Sequence, residues 1–338
     1  MSKGPLPVEI DMKFAMNSLV AAAALATVSF ANAAVVTGNL GEKITVNDPA
    51  GSGRQAELSL TVGSGTLAFS AGSAFNGTDP NTLGGLIGAL NVGQVKLTGV
   101  GGAVVTEGTT PDEFGELVRT SSAAKANVVS ITADNVSGQI LSVGSTGGAL
   151  QTGTRISGTL TGGSGSVTNL RFDLANKVVY ADLTGTKAAV GTTPAINYNL
   201  PNTALWTIGA ISGPTVIPPA ALLSTNVRGG MEAAGFTFVS VVDGLYTFNA
   251  TNVISGLKVT TAGFDFFKNS LGLLSTGVNA LAAVNNDAQG WGSVTSNLTF
   301  TVREVGGTVP GIPEPSTYVL MGLGLAGIAL AARRRAAK

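Results

Sequence analysis

Residues Leu170-Arg171-Phe172-Asp173-Leu174-Ala175-Asn176-Lys177-Val178-Val179-Tyr180-Ala181-Asp182-Leu183 decide the fold of this chain. In the first five, Leu170, Phe172 and Leu174 fall on one side of an extended backbone and Arg171 and Asp173 on the other. In the last six, Val178, Tyr180 and Asp182 oppose Val179, Ala181 and Leu183. Side chains two apart share a face of a β-strand, so both runs read as strands with one dry face. Asn176-Lys177 sits where a hairpin turn is expected. A sheet wet on one face fits an antiparallel arrangement.

The same grammar extends outward in both directions, as short β-branched runs broken by Gly, Asn, Asp and Ser. Strands are predicted over 42–47, 55–62, 66–70, 94–99, 127–133, 138–143, 154–160, 166–173, 177–183, 236–241, 245–252, 255–260 and 293–303. Helical signal is confined to two places. Thr110 as N-cap, Pro111 at the first helical position and the acids Asp112, Glu113 and Glu116 behind them predict a short helix over 111–119. Phe266, Phe267, Leu271, Leu274, Val278 and Leu281 recur at roughly helical spacing within 264–284, although Gly272 and Gly277 count against a helix there. The proline-rich stretch 194–226 reads as a long connection and a candidate binding surface. A faint repeat, 133–138 and 165–172 against 250–256 and 292–300, is what a duplicated meander or chance in a Gly/Ser/Thr/Asn-rich chain would leave. The expected fold is all-β, an antiparallel β-sandwich-like body over 34–309, divisible into related halves 34–193 and 227–309.

Composition removes several chemistries. The 338 residues contain no histidine and no cysteine, which excludes imidazole catalysis, thiol catalysis, His-ligated metals and disulfides. Charged residues make up only 11% and glycine contributes 47 residues, about twice ordinary usage. With 19 basic and 19 acidic side chains there is no footprint for nucleic acid. Between Ala34 and Pro313 the balance is 13 basic to 16 acidic, so adhesion to a glycan would rest on hydrogen bonding and stacking.

Both ends read as addresses. Lys13, the apolar run 19–30 and Ala31-Asn32-Ala33 form a secretory signal peptide over 1–33, with cleavage expected between Ala33 and Ala34 and translation expected to begin at Met12. Signal peptidase and the secretion translocon are the implied partners. At the other end, Pro313-Glu314-Pro315 precedes an uncharged run over 317–332, closed by Arg333-Arg334-Arg335. A helix of 16 residues spans about 24 Å, short of a hydrocarbon core of roughly 30 Å, and Tyr318 and the arginines can reach the two interfaces. The arginines would stay in the cytoplasm, which puts the body outside the inner membrane.

The tail over 310–338 resembles the PEP-CTERM sorting signal of Gram-negative bacteria, in the order Pro-Glu-Pro, short apolar segment and arginine cluster. The resemblance implies processing by an exosortase, then release or transfer to the cell surface, in company with exopolysaccharide, biofilm or floc matrices. It implies nothing about the fold of the body.

Candidate chemistry inside the body is thin. Trp206 and Trp291 are the candidate glycan-stacking residues; a core position is the alternative for each. Carboxylates are the only general acid/base groups besides Lys and Tyr; Asp112, Glu113 and Glu116 cluster and, with Asp173, Asp182 or Asp243, could supply the pair of a carboxylate-based hydrolase, whereas acids at a helix start are ordinarily solvated dipole partners. No calcium loop motif is present, no metal site, catalytic residue or cofactor is expected, and a calcium held by scattered Asp side chains stays open. The expectation is therefore a non-enzymatic exported surface or matrix protein with a structural or adhesive role. Its alternatives are a carbohydrate-binding module, a polysaccharide-degrading enzyme, and self-assembly through open strand edges.

Overall fold

A computed structural model describes residues 34–48 and 53–305. The strands, in chain order, are β1 (Val35–Asn39), β2 (Lys43–Asn47), β3 (Gln55–Phe69), β4 (Lys96–Val100), β5 (Val104–Pro111), β6 (Leu117–Asp134), β7 (Ile140–Thr146), β8 (Gly148–Gly153), β9 (Gly163–Asp173), β10 (Val178–Lys187), β11 (Ile196–Thr207), β12 (Ala210–Ser212), β13 (Thr237–Val242), β14 (Leu245–Ser255), β15 (Lys258–Val259) and β16 (Gly292–Val305). The helices are α1 (Gly85–Val92), α2 (Pro219–Leu222), α3 (Val227–Ala233), α4 (Thr261–Ser270) and α5 (Ser275–Asn286).

All of the strands belong to one antiparallel sheet, and the long ones follow one another in the sheet in chain order: β3, β6, β7, β9, β10, β11. From the other side, β16 pairs with β3 and β14 pairs with β16. The circle closes between its two ends. Trp206 and Thr207 pair with Val259 and Lys258, and Ala210 to Ser212 pair with Ser255 to Val253, in one common register. Gly209 and Gly256 meet where this ladder is interrupted, and a Cβ on Gly209 would stand 3.1 Å from the Gly256 carbonyl oxygen. The sheet thus curls into an eight-stranded antiparallel meander of β3, β6, β7, β9, β10, β11–β12, β14–β15 and β16. Closure removes free edges from the wall. The remaining short strands pair alongside it, β1 on β6, β2 on β3, β13 on β14, and β4 and β5 through β8 and β6.

The interior holds two apolar clusters. One gathers Phe172, Val179, Leu183, Trp206 and Trp291 under α1, α4 and α5; the other gathers Leu58, Leu60, Ile131, Phe248 and Phe300 against α2 and α3. Both arise from period-two burial, most clearly in β3 and β16, whose inward rows run Ala56, Leu58, Leu60 and Leu298, Phe300, Val302.

The structure departs from the sequence expectations at several points: the expected sandwich is one sheet closed on itself, residues 154–160 form a turn with isolated bridges from Leu160 to Ile156 and Leu273 instead of a strand, and α1, α2 and α3 lie outside the two places with helical signal. The predicted helix over 111–119 is instead the β5–β6 hairpin, with its turn at 112–116. Asp112 accepts hydrogen bonds from the Phe114 and Glu116 amides at 2.8 and 2.9 Å, and Gly115 adopts φ +82°, so the acid caps a turn instead of a helix. The helical spacing within 264–284 is realised as two helices, α4 and α5, because Gly272 at φ +66° ends the first. The stretch 194–226 is mostly structure: β11, β12 and α2 lie within it. Pro201 is accommodated in β11 because the pairing with β10 slips there, beside Asn202 at φ +44°. Finally, 34–193 and 227–309 are not separate lobes, since β16 is paired with β3 along its length. The repeat does not mark equivalent positions either: β14 and β16 are direct neighbours, whereas β7 stands between β6 and β9.

Asp182 explains why the β9–β10–β11 wall can carry two irregularities. It faces outward between Asn169 of β9 and Asn202 of β11, both left-handed, accepting from Asn169 Nδ2 at 3.0 Å and from the Asn202 amide at 2.9 Å. Those bonds hold its carboxyl below the ordinary range. At Asp173 and Asp287 partial burial pushes the other way but is outweighed, by Asn176 and Arg171 in the first case and by Ser73, Gln289 and Lys258 in the second. A depressed folded-state pKa gives stabilisation that is complete above the unfolded value of about 4 and is lost as pH falls through the folded value below it. With no histidine in the chain, urea-unfolding free energy is expected to stay level from about pH 8 to pH 5 and to fall below about pH 4. Asp182→Asn should flatten part of that fall. A stability curve that bends between pH 6 and 7 would contradict this assignment.

Candidate functional site

Trp206 and Trp291, expected as glycan contacts, lie inside the barrel, each only 2% exposed. Trp206 is turned inward by a bulge: β11 slips one residue against β10 between Val179 and Tyr180, leaving Leu205 extra, and Leu205 and Trp206 are buried in succession. Its ring centroid is 5.9 Å from that of Trp291, which in turn lies 5.0 Å from Phe267 of α4. Trp291 Nε1 donates to Asn285 Oδ1 at 3.1 Å, and Asn285 also exchanges two 2.8 Å bonds with the Val259 backbone. The aromatic cluster therefore fastens the C-terminal end of α5 to β15. Neither ring is available to an external sugar.

Next to this cluster the lumen is incompletely filled. A cavity of about 140 Å³ is bounded by the barrel wall and by α1, α4 and α5. That is close to the roughly 150 Å³ of an apolar cavity able to hold benzene. Its lining is overwhelmingly apolar and contains no ionisable side chain. A Cβ built on Gly65 would meet nothing nearer than Val294 Cγ1 at 3.9 Å, a direct sign of free space at the wall. Four lining side chains nevertheless present buried polar atoms without a hydrogen-bond partner: Trp206 Nε1, Gln151 Oε1, Asn252 Oδ1 and Ser296 Oγ. Asn252 and Ser296 are direct cross-strand partners. They interrupt the inward rows Ala250, Ile254 and Val294, Leu298. Each such buried orphan costs about 1–3 kcal/mol in an empty apolar site.

The outer face of β14, β16 and β3 is different in kind. Thr247 stands opposite Thr301, Asn249 opposite Thr299 and Thr251 opposite Asn297, and Ser59, Ser64 and Thr66 of β3 pair with Thr301, Asn297 and Thr295. Thr251 Oγ1 donates to Asn297 Oδ1 at 3.0 Å and Thr299 Oγ1 to Asn249 Oδ1 at 2.9 Å. Both amide oxygens are thus engaged, and both amide nitrogens remain as donors on an uncharged hydroxyl-amide lattice. Sequence reasoning missed this face because each strand alone shows only an alternation; the lattice exists through cross-strand register. It also missed the tip of the β5–β6 hairpin, where Phe114 is 82% exposed.

The acids named from the sequence lie on three separate parts of the sheet. Asp112, Glu113 and Glu116 sit in the β5–β6 turn, Asp243 in the turn between β13 and β14, and Asp173 and Asp182 on the β9–β10 hairpin. Asp173 and Asp182 are held below the ordinary carboxyl range, opposite to the rise that a general acid needs. Among the described residues, no three acidic side chains gather as a metal site, and no helix is long and apolar enough to cross a membrane. Ala34, expected to become the amino terminus, donates its N–H to Asn135 Oδ1 at 2.9 Å. The other address residues, Ala31, Ala33, Pro313, Glu314, Pro315 and Arg333 to Arg335, lie outside the described residues.

The body is a mostly β protein with one large, curled antiparallel sheet. A model of the PEP-CTERM protein-sorting motif matches residues 311–335, so the chain carries a PEP-CTERM sorting domain at its C-terminus. That signal makes it an exosortase-sorted exported protein, destined for the cell surface or the extracellular space. No curated protein matches the chain. Among solved structures, the heme-binding protein HtaB from Corynebacterium glutamicum is similar at 15% identity and a TM-score of 0.33, over 75% of this chain and 100% of that one.

Proposed function

We propose that the exported body is a non-enzymatic adhesive or structural component of an extracellular polysaccharide matrix, which it contacts through the hydroxyl-amide face of β14, β16 and β3. The observation that carries the reading is the uncharged lattice formed by Asn249, Thr251, Asn297 and Thr299. A neutral polysaccharide offers hydroxyls that such a lattice can both donate to and accept from, with no charge to desolvate. With the tryptophans buried, this hydrogen-bonding face takes the place of stacking.

Asn249, Thr251 and Asn297 are exposed, so changing them leaves the core alone. The triple change Asn249→Glu, Thr251→Glu and Asn297→Glu is expected to lower co-sedimentation with insoluble matrix polysaccharide at least tenfold, with circular dichroism unchanged. Wild-type binding by the variant would sink the adhesive reading. Self-association is a second reading, favoured by β13, which pairs only with β14 and exposes Val239, Val241 and Val242. Light scattering against concentration separates the two, because a monomer that still binds polysaccharide excludes it.

A further inference from the structure

We propose that the barrel lumen binds one small, neutral, largely hydrocarbon molecule bearing a hydroxyl, with the hydroxyl placed between Asn252 and Ser296 and the body against Trp206, Trp291 and Phe172. The inference is independent of the adhesive reading, which concerns the opposite face of the same strands.

Three features of the cavity define the ligand. Its size, about 140 Å³, suits a substituted ring or a short branched chain. The absence of any ionisable side chain from the lining excludes a carboxylate, phosphate or ammonium group, whose charge would stay unpaired. The unpartnered atoms set the polar end. Asn252 Oδ1 only accepts, while Ser296 Oγ can donate, so a group that donates to one and accepts from the other satisfies both. A hydroxyl does this; a hydrocarbon, an ether or a ketone does not. Trp206 Nε1 and Gln151 Oε1 are further buried polar atoms awaiting a partner, on side chains more than nine-tenths buried. In a pocket whose lining is otherwise mostly apolar, with Ser145, Thr159 and Thr215 as its other hydroxyl side chains, such orphans are the points at which a bound molecule is oriented.

The test is isothermal titration calorimetry on the exported protein, purified without detergent, with 4-propylphenol, propylbenzene and 4-propylbenzoate at pH 7. The phenol is expected to saturate at one per chain, propylbenzene to bind at least fivefold more weakly and the benzoate at least twentyfold more weakly. Ser296→Ala should erase most of the preference for the phenol over propylbenzene. Gly65→Leu and Ala126→Leu, which place side-chain atoms in the free space of the lumen, should each weaken the phenol at least tenfold. A phenol that does not saturate, a carboxylate that binds as tightly, or propylbenzene that equals the phenol overturns the proposal. So does wild-type affinity in a folded Gly65→Leu or Ala126→Leu protein; should either variant fail to fold, the three-ligand series on the wild type decides alone.

Discussion

Trp291→Ala is expected to destabilise the exported body by about 3–5 kcal/mol, the range for removing a large buried aromatic side chain. The ring is 2% exposed and packs on Trp206 and Phe267 at centroid distances of 5.9 and 5.0 Å. Its removal would enlarge a cavity that already exists beside it, so collapse of the site cannot recover much of the loss. Asn285 would also lose the Trp291 Nε1 donor while keeping its bonds to Val259. Trp291→Phe retains most of the contact but not the hydrogen bond, and should cost less than half as much. Urea titration followed by circular dichroism measures both. The result discriminates sharply between roles: a tryptophan that served to stack on external sugar would leave stability within about 0.5 kcal/mol of wild type when truncated. Stability unchanged in Trp291→Ala would therefore contradict the position assigned to the ring.

Why that position was hidden in the sequence is instructive. The hairpin over 170–183 was legible because its alternation is local, and β9 and β10 form it with Asp173 capping the turn at the Asn176 amide and Lys177 at φ +54°. Two features defeat local reading. Asp112 with Pro111 ahead of it fits both a helix start and an Asx turn, and the outcome depends on whether β5 finds β6. Trp206 lies in a run, Ala204-Leu205-Trp206-Thr207, in which successive large residues break the alternation; only the bulge against Val179 explains how both are buried. Closure of the barrel is still less accessible, since it joins 206–212 to 253–259 through a register that no single segment contains. The orphaned Asn252–Ser296 pair belongs to the same class of information. Composition excluded histidine and cysteine chemistry without any structure, but the placement of inward polar atoms is a property of the assembled wall.

Replacing Pro313, Glu314 and Pro315 together by alanine is expected to leave more than nine-tenths of the protein unprocessed and held with the inner membrane, a loss of surface delivery of at least tenfold. These residues fall within the matched sorting motif. The apolar run behind them, 317–332, is read from sequence as a membrane anchor whose arginines, Arg333 to Arg335, are retained on the cytoplasmic side. An enzyme that cuts near Pro-Glu-Pro would free the body from that anchor; without the cut, the anchor persists and the body stays tethered on the outer side of the inner membrane. Mass spectrometry of the mature C-terminus and fractionation of cells from medium read both steps, in hosts with and without the exosortase. Three outcomes carry different consequences. A terminus near Pro313–Pro315 that appears only with exosortase and only in the wild type ties delivery to this motif. An intact terminus at Lys338 in every host would leave a tethered protein, and its hydroxyl-amide face could then meet only polysaccharide that passes through the periplasm. Normal delivery of the triple variant would remove Pro-Glu-Pro from the recognition step altogether. In none of these cases does the lumen change, because its walls are built from strands that end at Val305; ligand binding measured on tethered and released forms should agree within twofold, and a difference between them would mean that the tail reaches the barrel.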